Sequence, residues 1–217
     1  MNYPFPWIAV VIGSLAIAVS GPANERTLPS ECTYEMQVWN VSLRRTSGAR
    51  KVRHAYDDVV SAEIDKATGC TVCSEDQVTI NVPPLPEFLM CYKLAPRVYS
   101  LVRDLVQKGA PIRTIRGYRV IRSRGPIDAN GDRTGFSNHS YGTAIDINQE
   151  QNGLYDNCIS FGPQCRLLLG GEWRPGEPGT LTVDDDIIRS FITAGFKWGG
   201  EIAGKQKDFM HFSLTGY

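Results

Sequence analysis

Hydrophobic residues follow three patterns along the 217-residue chain, and each predicts a different kind of element. Helical spacing is clearest where Val98, Leu101, Val102, Leu105 and Val106 recur. It predicts a helix over Pro96 to Gln107, stopped by Gly109 and Pro111. A second helix is predicted over Asp184 to Ala194, with Asp184 to Asp186 favouring its N-terminal end and Gly195 closing it. Alternation, or short runs rich in β-prone residues, predicts strands. Tyr34 to Leu43 should turn at Thr46-Ser-Gly48 and return over Val52 to Tyr56. Further strands are expected over Val78 to Val82, Ile112 to Val120, Ala144 to Asn148, Phe196 to Gly199 and Met210 to Leu214. Ser123 to Gly135 reads as a polar, glycine-rich passage, and Gln149 to Thr180 as a long excursion over the surface. The fold class is α+β: a small, mostly antiparallel sheet with flanking helices and long loops.

The third pattern is unbroken apolarity, over Trp7 to Val19, followed by the small residues Ser20-Gly-Pro-Ala23. The stretch is short for a membrane span, which needs about 20 residues. It fits the core of a secretory signal, although no Lys or Arg precedes it. Residues 1–23 are therefore a signal peptide or an N-terminal anchor, and any membrane contact is confined to that segment. Both readings place the remainder outside the cytoplasm. The six cysteines agree, since an even number behind an export signal reads as disulfides. Cys158 and Cys165, close together in a Gly/Pro/Asn-rich stretch, are expected to close a local loop. Cys32, Cys70, Cys73 and Cys91 then tie the N-terminal segment to itself. A redox or zinc-knuckle role for Cys70-Thr-Val-Cys73 lacks the surrounding strand-turn-helix or second ligand pair.

Charge alters the picture only by exclusion. With 23 basic and 23 acidic side chains there is no basic field to favour nucleic acid. The run Arg44, Arg45, Arg50, Lys51 and Arg53 suits a solvated hairpin face, and His54 among these charges suits a structural or surface role. Asp128-Ala-Asn130-Gly-Asp132 begins like a calcium loop, but Arg133 and His139 stand where such a loop wants Gly and Glu, so a turn is expected. Trp173, Trp198 and Tyr155 are taken as buried aromatics in preference to a ligand wall.

The chemistry concentrates in two segments, FSNHSYGTAIDIN (Phe136 to Asn148) and KDFMHFSL (Lys207 to Leu214). They offer His139, Asp146 and His211, plus Asp208 three residues before the last histidine. Two imidazoles and one carboxylate around an open position make a catalytic zinc set, whereas structural zinc sites are closed and mostly thiolate. Strand alternation puts Asp146 opposite Ile145 and Ile147. A buried carboxylate there requires a cation, either a metal or an arginine.

Ser137-x-His139-x-x-Gly142-x-Ala144-x-Asp146, then Trp198-Gly-Gly200 and Asp208-x-Met-His211-Phe212, resembles the zinc D-alanyl-D-alanine carboxypeptidase/endopeptidase family, which trims bacterial peptidoglycan peptides. The resemblance runs from about Leu94 to the C-terminus and includes Tyr118-Arg119 in an upstream strand. It implies a hedgehog-related fold with the site in a cleft and one Zn²⁺ per chain held by His139, Asp146 and His211. It also implies that Asp208 is the general base, and that Arg119 faces the substrate to stabilise an oxyanion or a peptide carboxylate. Ser137 and Tyr118 would contact the substrate, a peptidoglycan stem peptide. The chain departs from the family where Val120, Ile121 and Arg122 follow Tyr118-Arg119, and where Asp208 replaces the Glu of many relatives. The expected organisation is a cysteine-bearing segment over 24–92 packed on a catalytic domain over 93–217. The rival reading is a zinc-bearing, non-catalytic envelope binding module of hedgehog-like fold. It has no use for Asp208 or Arg119. A metal-free, disulfide-held envelope protein is the third reading.

Overall fold

The structure, a computed structural model, describes residues 26–216, so the apolar N-terminal block lies outside the described residues. Among the described residues no helix is long and apolar enough to cross a membrane. The chain enters through a hairpin of β1 (Glu31–Asn40) and β2 (Arg45–Ala55). On β1, Cys32, Tyr34 and Met36 face inward, while β2 and its arginines face solvent for most of their length. The turn falls over residues 41–44, not over Thr46–Gly48 as expected. The Asn40 side-chain oxygen accepts from the Leu43 N–H (2.8 Å), and Arg44 takes the left-handed conformation (φ 51°). Thr46 and Ser47 pair with Trp39 and Val38. Gly48 sits where the register jumps between Met36/Arg50 and Val38/Ser47, so it marks a bulge and not a turn.

A second hairpin joins β3 (Gln77–Ile80) to β4 (Phe88–Cys91) and leads into α1 (Ala95–Gln107), the helix expected from the apolar spacing. Ala95, Val98, Val102 and Leu105 form its buried stripe. The single strand expected over Ile112–Val120 is two strands, β5 (Ile115–Arg116) and β6 (Val120–Ile127). The break has a steric cause. Gly117 passes so close to β4 that a Cβ on it would lie 2.1 Å from the Leu89 carbonyl oxygen. That same oxygen accepts the Tyr118 N–H at 2.7 Å, which turns the chain from one sheet to the next. The passage expected as irregular beyond Ser123 is a hairpin of β6 with β7 (Arg133–Phe136). Asp128–Asp132 is its turn: the Asp128 carboxylate accepts the N–H groups of Asn130 and Asp132, each at 2.9 Å.

The remaining elements complete the central sheet and add a smaller one and a second helix. They are β8 (Ala144–Ile147), β9 (Leu154–Asp156), β10 (Arg166–Leu169), α2 (Asp186–Thr193), β11 (Lys197–Trp198), β12 (Lys207–Asp208) and β13 (His211–Ser213). The central sheet runs β11-β13-β8-β5. A second has the order β2-β1-β6-β7, with β1 and β6 parallel, and β10-β9-β12 makes a third. The excursion over 149–180 is thus partly strand, with Cys158–Cys165 closing its loop. Cys32 pairs with Cys73 and Cys70 with Cys91, as the sequence led one to expect for the N-terminal four. Three such bridges fit an oxidising compartment. The main core packs α1 and α2 on the central sheet through Val98, Val102, Ile145, Phe191 and Phe212, and a smaller one lies around Tyr34, Val72 and Phe136. The architecture is α+β with mostly antiparallel sheets.

Candidate metal centre

Three elements bring one ligand candidate each. His139 sits on a single 3-10 turn, Asn138–Tyr141, which ends at Gly142 in the left-handed conformation (φ 64°). Asp146 occupies the middle of β8, and His211 lies directly across from it at the start of β13. On β8, Ile145 and Ile147 go into the core, so strand alternation turns Asp146 to the other face. All three side chains are at least 95% buried.

The atoms that meet are His139 Nε2, Asp146 Oδ1 and His211 Nδ1. Their separations are 3.0 Å (His139 to Asp146), 3.1 Å (His139 to His211) and 3.1 Å (His211 to Asp146). A tetrahedral zinc with bonds of about 2.0–2.1 Å sets its ligand atoms about 3.3 Å apart. This near-equilateral triangle therefore matches one face of such a tetrahedron within a few tenths of an ångström, and the donor set fits a metal.

Protonation is set up in the same sense. Burial pushes both histidines below their usual pKa and so favours neutral imidazoles. Burial alone would raise the Asp146 pKa. The adjacent His139 and Arg119, with the polar contacts to both histidines, overcome this and hold it well below the usual carboxylate range. Neutral imidazole and ionised carboxylate are the forms that bind metal. The Gly117 carbonyl lies 2.9 Å from His139 Nδ1, and an N–H donated there leaves the Nε2 lone pair facing the other two ligand atoms.

Arg119 stands beside the triangle. Its Nη2 donates to Asp146 Oδ2 at 2.6 Å, and Nη1 lies 2.9 Å from His139 Nδ1. Its side chain keeps 43% of its surface exposed and so remains accessible to an incoming group. Asp208 is buried on β12, close enough to His211 for its charge to favour the protonated imidazole. Beneath it, a Cβ on Gly199 would lie 2.2 Å from the Asp208 carbonyl oxygen, which explains the glycine in Trp198-Gly-Gly200.

Ser137 and Tyr118 are placed differently. The Ser137 hydroxyl is buried 3.1 Å from that of Ser140. Tyr118 points away from the triangle into the smaller core, donating to the Val72 carbonyl at 2.8 Å, and burial pushes its pKa up to about 12. Two contributors had no distinctive sequence signal. One is the Gly117 carbonyl; the other is Asn138, which accepts from Arg124 Nη1 (3.0 Å) and donates to the Gly216 carbonyl (2.7 Å). Asn138 ties the C-terminal end of the described chain to the turn that carries His139.

No curated protein and no solved structure matches the chain. Residues 130–214, the stretch that holds His139, Asp146, Asp208 and His211, match the family described as D-alanyl-D-alanine carboxypeptidase, which establishes for this part of the chain the peptidase resemblance carried by its motifs.

Proposed function

We propose that the protein is an exported zinc metallopeptidase that hydrolyses a peptide bond in peptidoglycan stem peptides, acting as a D-Ala-D-Ala carboxypeptidase or an L,D-endopeptidase. The observation that carries this reading is the His139–Asp146–His211 triangle within the matched stretch. Export is supported by the three disulfides, with the apolar block at residues 7–19 as the signal. Residues 93–217 form the catalytic unit, and 24–92 the cysteine-bearing segment packed on it.

When bound by the three ligands, zinc supplies Lewis acidity, which acidifies water and polarises a carbonyl. The chain's own groups do the rest. The Asp208 carboxylate takes the proton of the attacking water and returns it to the leaving amine. Burial near His211 suits this, because a carboxylate away from bulk water exchanges its proton with the reacting groups. The exposed Arg119 side chain receives the negative charge that develops on the carbonyl oxygen, while its Nη2 steadies Asp146. Ser137 and Tyr118 act as positioning residues: the first backs the His139 turn, and the second anchors the Arg119 segment to the cysteine-bearing one.

Asp208→Asn tests the assignment, since it keeps shape and removes the base. Hydrolysis of purified muropeptides should fall by about 10²-fold or more, with one zinc per chain retained by elemental analysis. A variant that hydrolyses at the wild-type rate would falsify the mechanism. The masses of the wild-type products identify the bond.

A further inference from the structure

A cavity of about 730 Å³ is lined by none of the five residues assigned to chemistry, His139, Asp146, His211, Asp208 and Arg119. That volume is within the range of ordinary ligand sites, about 300–1,000 Å³. Its walls come from the β6–β7 hairpin on one side and from β11 with the loop after it on the other. Arg124, Arg133, Lys197 and Lys205 line it, against one acid, Glu201, and the Trp198 ring supplies part of an apolar wall.

Two connections join this cavity to the centre. Arg124 donates to Asn138, whose own amide holds Gly216 at the cavity wall, and Asn138 immediately precedes His139. On the opposite side, the 3-10 turn Gly199–Glu201 ends in the lining residue Glu201 and begins at Gly199, packed on the Asp208 backbone. A ligand seated here therefore touches residues tied to the His139 turn and to the strand of the proposed base.

We propose that this cavity binds a carboxylate-bearing peptide, the arm of the substrate that flanks the scissile bond; the identification of the arm rests on the peptidase reading above. Four cations against one anion select negative charge, and cleft walls of low dielectric concentrate that field. The cations come from two separate walls, the β6–β7 hairpin and β11 with the loop after it, and an aromatic ring lines the same cavity. Such spacing suits carboxylates set apart along a peptide, whereas a compact phosphate is held by donors converging on one point.

The test uses the full chain stripped of metal, so that binding is read without turnover. The probes for calorimetric titration are the tripeptide L-Ala-γ-D-Glu-L-Lys and its form with both carboxylates amidated. The tripeptide should bind more tightly than the amide. Lys197→Glu with Lys205→Glu should weaken tripeptide binding by about tenfold, as expected for reversing two partly solvated charges, while leaving amide binding unchanged. Lys197→Gln with Lys205→Gln should fall between and guards against a folding defect, with circular dichroism confirming both. Equal affinity for tripeptide and amide, or unchanged affinity in both double variants, overturns the proposal. Inorganic phosphate that binds more tightly than the tripeptide and displaces it also overturns it, by making the cavity a phosphate site. Zinc-loaded protein separates this proposal from the peptidase reading. Hydrolysis with the same KM in wild type and the charge-reversed variant sinks the cavity alone, whereas lysine-dependent binding without any hydrolysis sinks the peptidase reading alone.

Discussion

Gly142 shows how one residue without a side chain holds the centre together. Its φ of 64° lies in the left-handed region, where a side chain is strained. Its missing Cβ also makes room, since an added one would lie 2.1 Å from the Gln77 side-chain oxygen and 2.5 Å from the Cys91 nitrogen. Its carbonyl accepts the Cys91 N–H at 3.1 Å, so the residue after the His139 turn is stitched to the disulfide-bonded end of β4. Gly142→Ala should therefore cost about 2–4 kcal/mol, combining left-handed strain with overpacking. Denaturant titration measures the loss, and a cost below 1 kcal/mol would show that β4 yields easily. The glycine was conspicuous in the sequence as part of a spaced motif. Its steric reason was not, because Gln77 and Cys91 lie more than fifty positions away.

Among the elements, the β1–β2 hairpin contains a polar network remote from the metal centre. The Glu63 carboxylate accepts from the Tyr34 hydroxyl (2.6 Å) and the Val60 N–H (3.0 Å), and His54 Nε2 lies 3.1 Å from it. The carbonyl of Ala55 and the carboxylate of Glu63 raise the His54 pKa above its ordinary value. A group whose pKa rises on folding adds stability that is complete below its unfolded pKa of about 6.5. That stability disappears as pH climbs through the higher folded value. The melting-temperature gap between wild type and His54→Gln should therefore be largest near pH 6 and shrink towards pH 9. A gap that widens on that path would contradict the assignment. The same hairpin shows what the sequence discloses. Helix α1 was legible because one buried stripe at helical spacing dictates it. The bulge at Gly48 resembled a turn because glycine serves both, and the deciding interaction is the Asn40 side chain on Leu43. The β6–β7 hairpin was hidden because its strands are mostly partly exposed and carry Arg, Ser and Gly in place of alternating apolar residues. The break at Gly117 depends on contact with β4, which no local pattern encodes. The metal triangle was legible as residue types at a spacing; the partners of the Tyr118 hydroxyl, Val72 and Ser74, were not, because they lie far away in the chain.

At the scale of the whole molecule, the centre is where separate parts of the chain converge. β8 and β13 supply two ligand candidates from the central sheet, and the His139 turn is held from outside it. Leu89 fixes Tyr118, Cys91 fixes Gly142, and the Tyr141 hydroxyl donates to the Ala62 carbonyl at 2.9 Å. The cysteine-bearing segment thus supports the turn and the Arg119 segment from behind, and its two disulfides stiffen that support. Three buried ligand candidates from elements distant in sequence cannot form a comparable site in the unfolded chain, so a metal held by them would favour the folded state by mass action. At free zinc about 100 times the dissociation constant this amounts to about 2.7 kcal/mol. For a chain of this size that is a rise in melting temperature of roughly 5–10 °C. Scanning calorimetry on zinc-loaded and chelator-treated protein reads the difference directly. Asp146→Ala should abolish the zinc-dependent part, because it removes the only anion among the three ligands and leaves two neutral imidazoles. If wild-type protein melted at the same temperature with and without zinc, the triangle would have to be a hydrogen-bonded cluster satisfied by Arg119 alone. The hydrolytic reading would then lose its foundation.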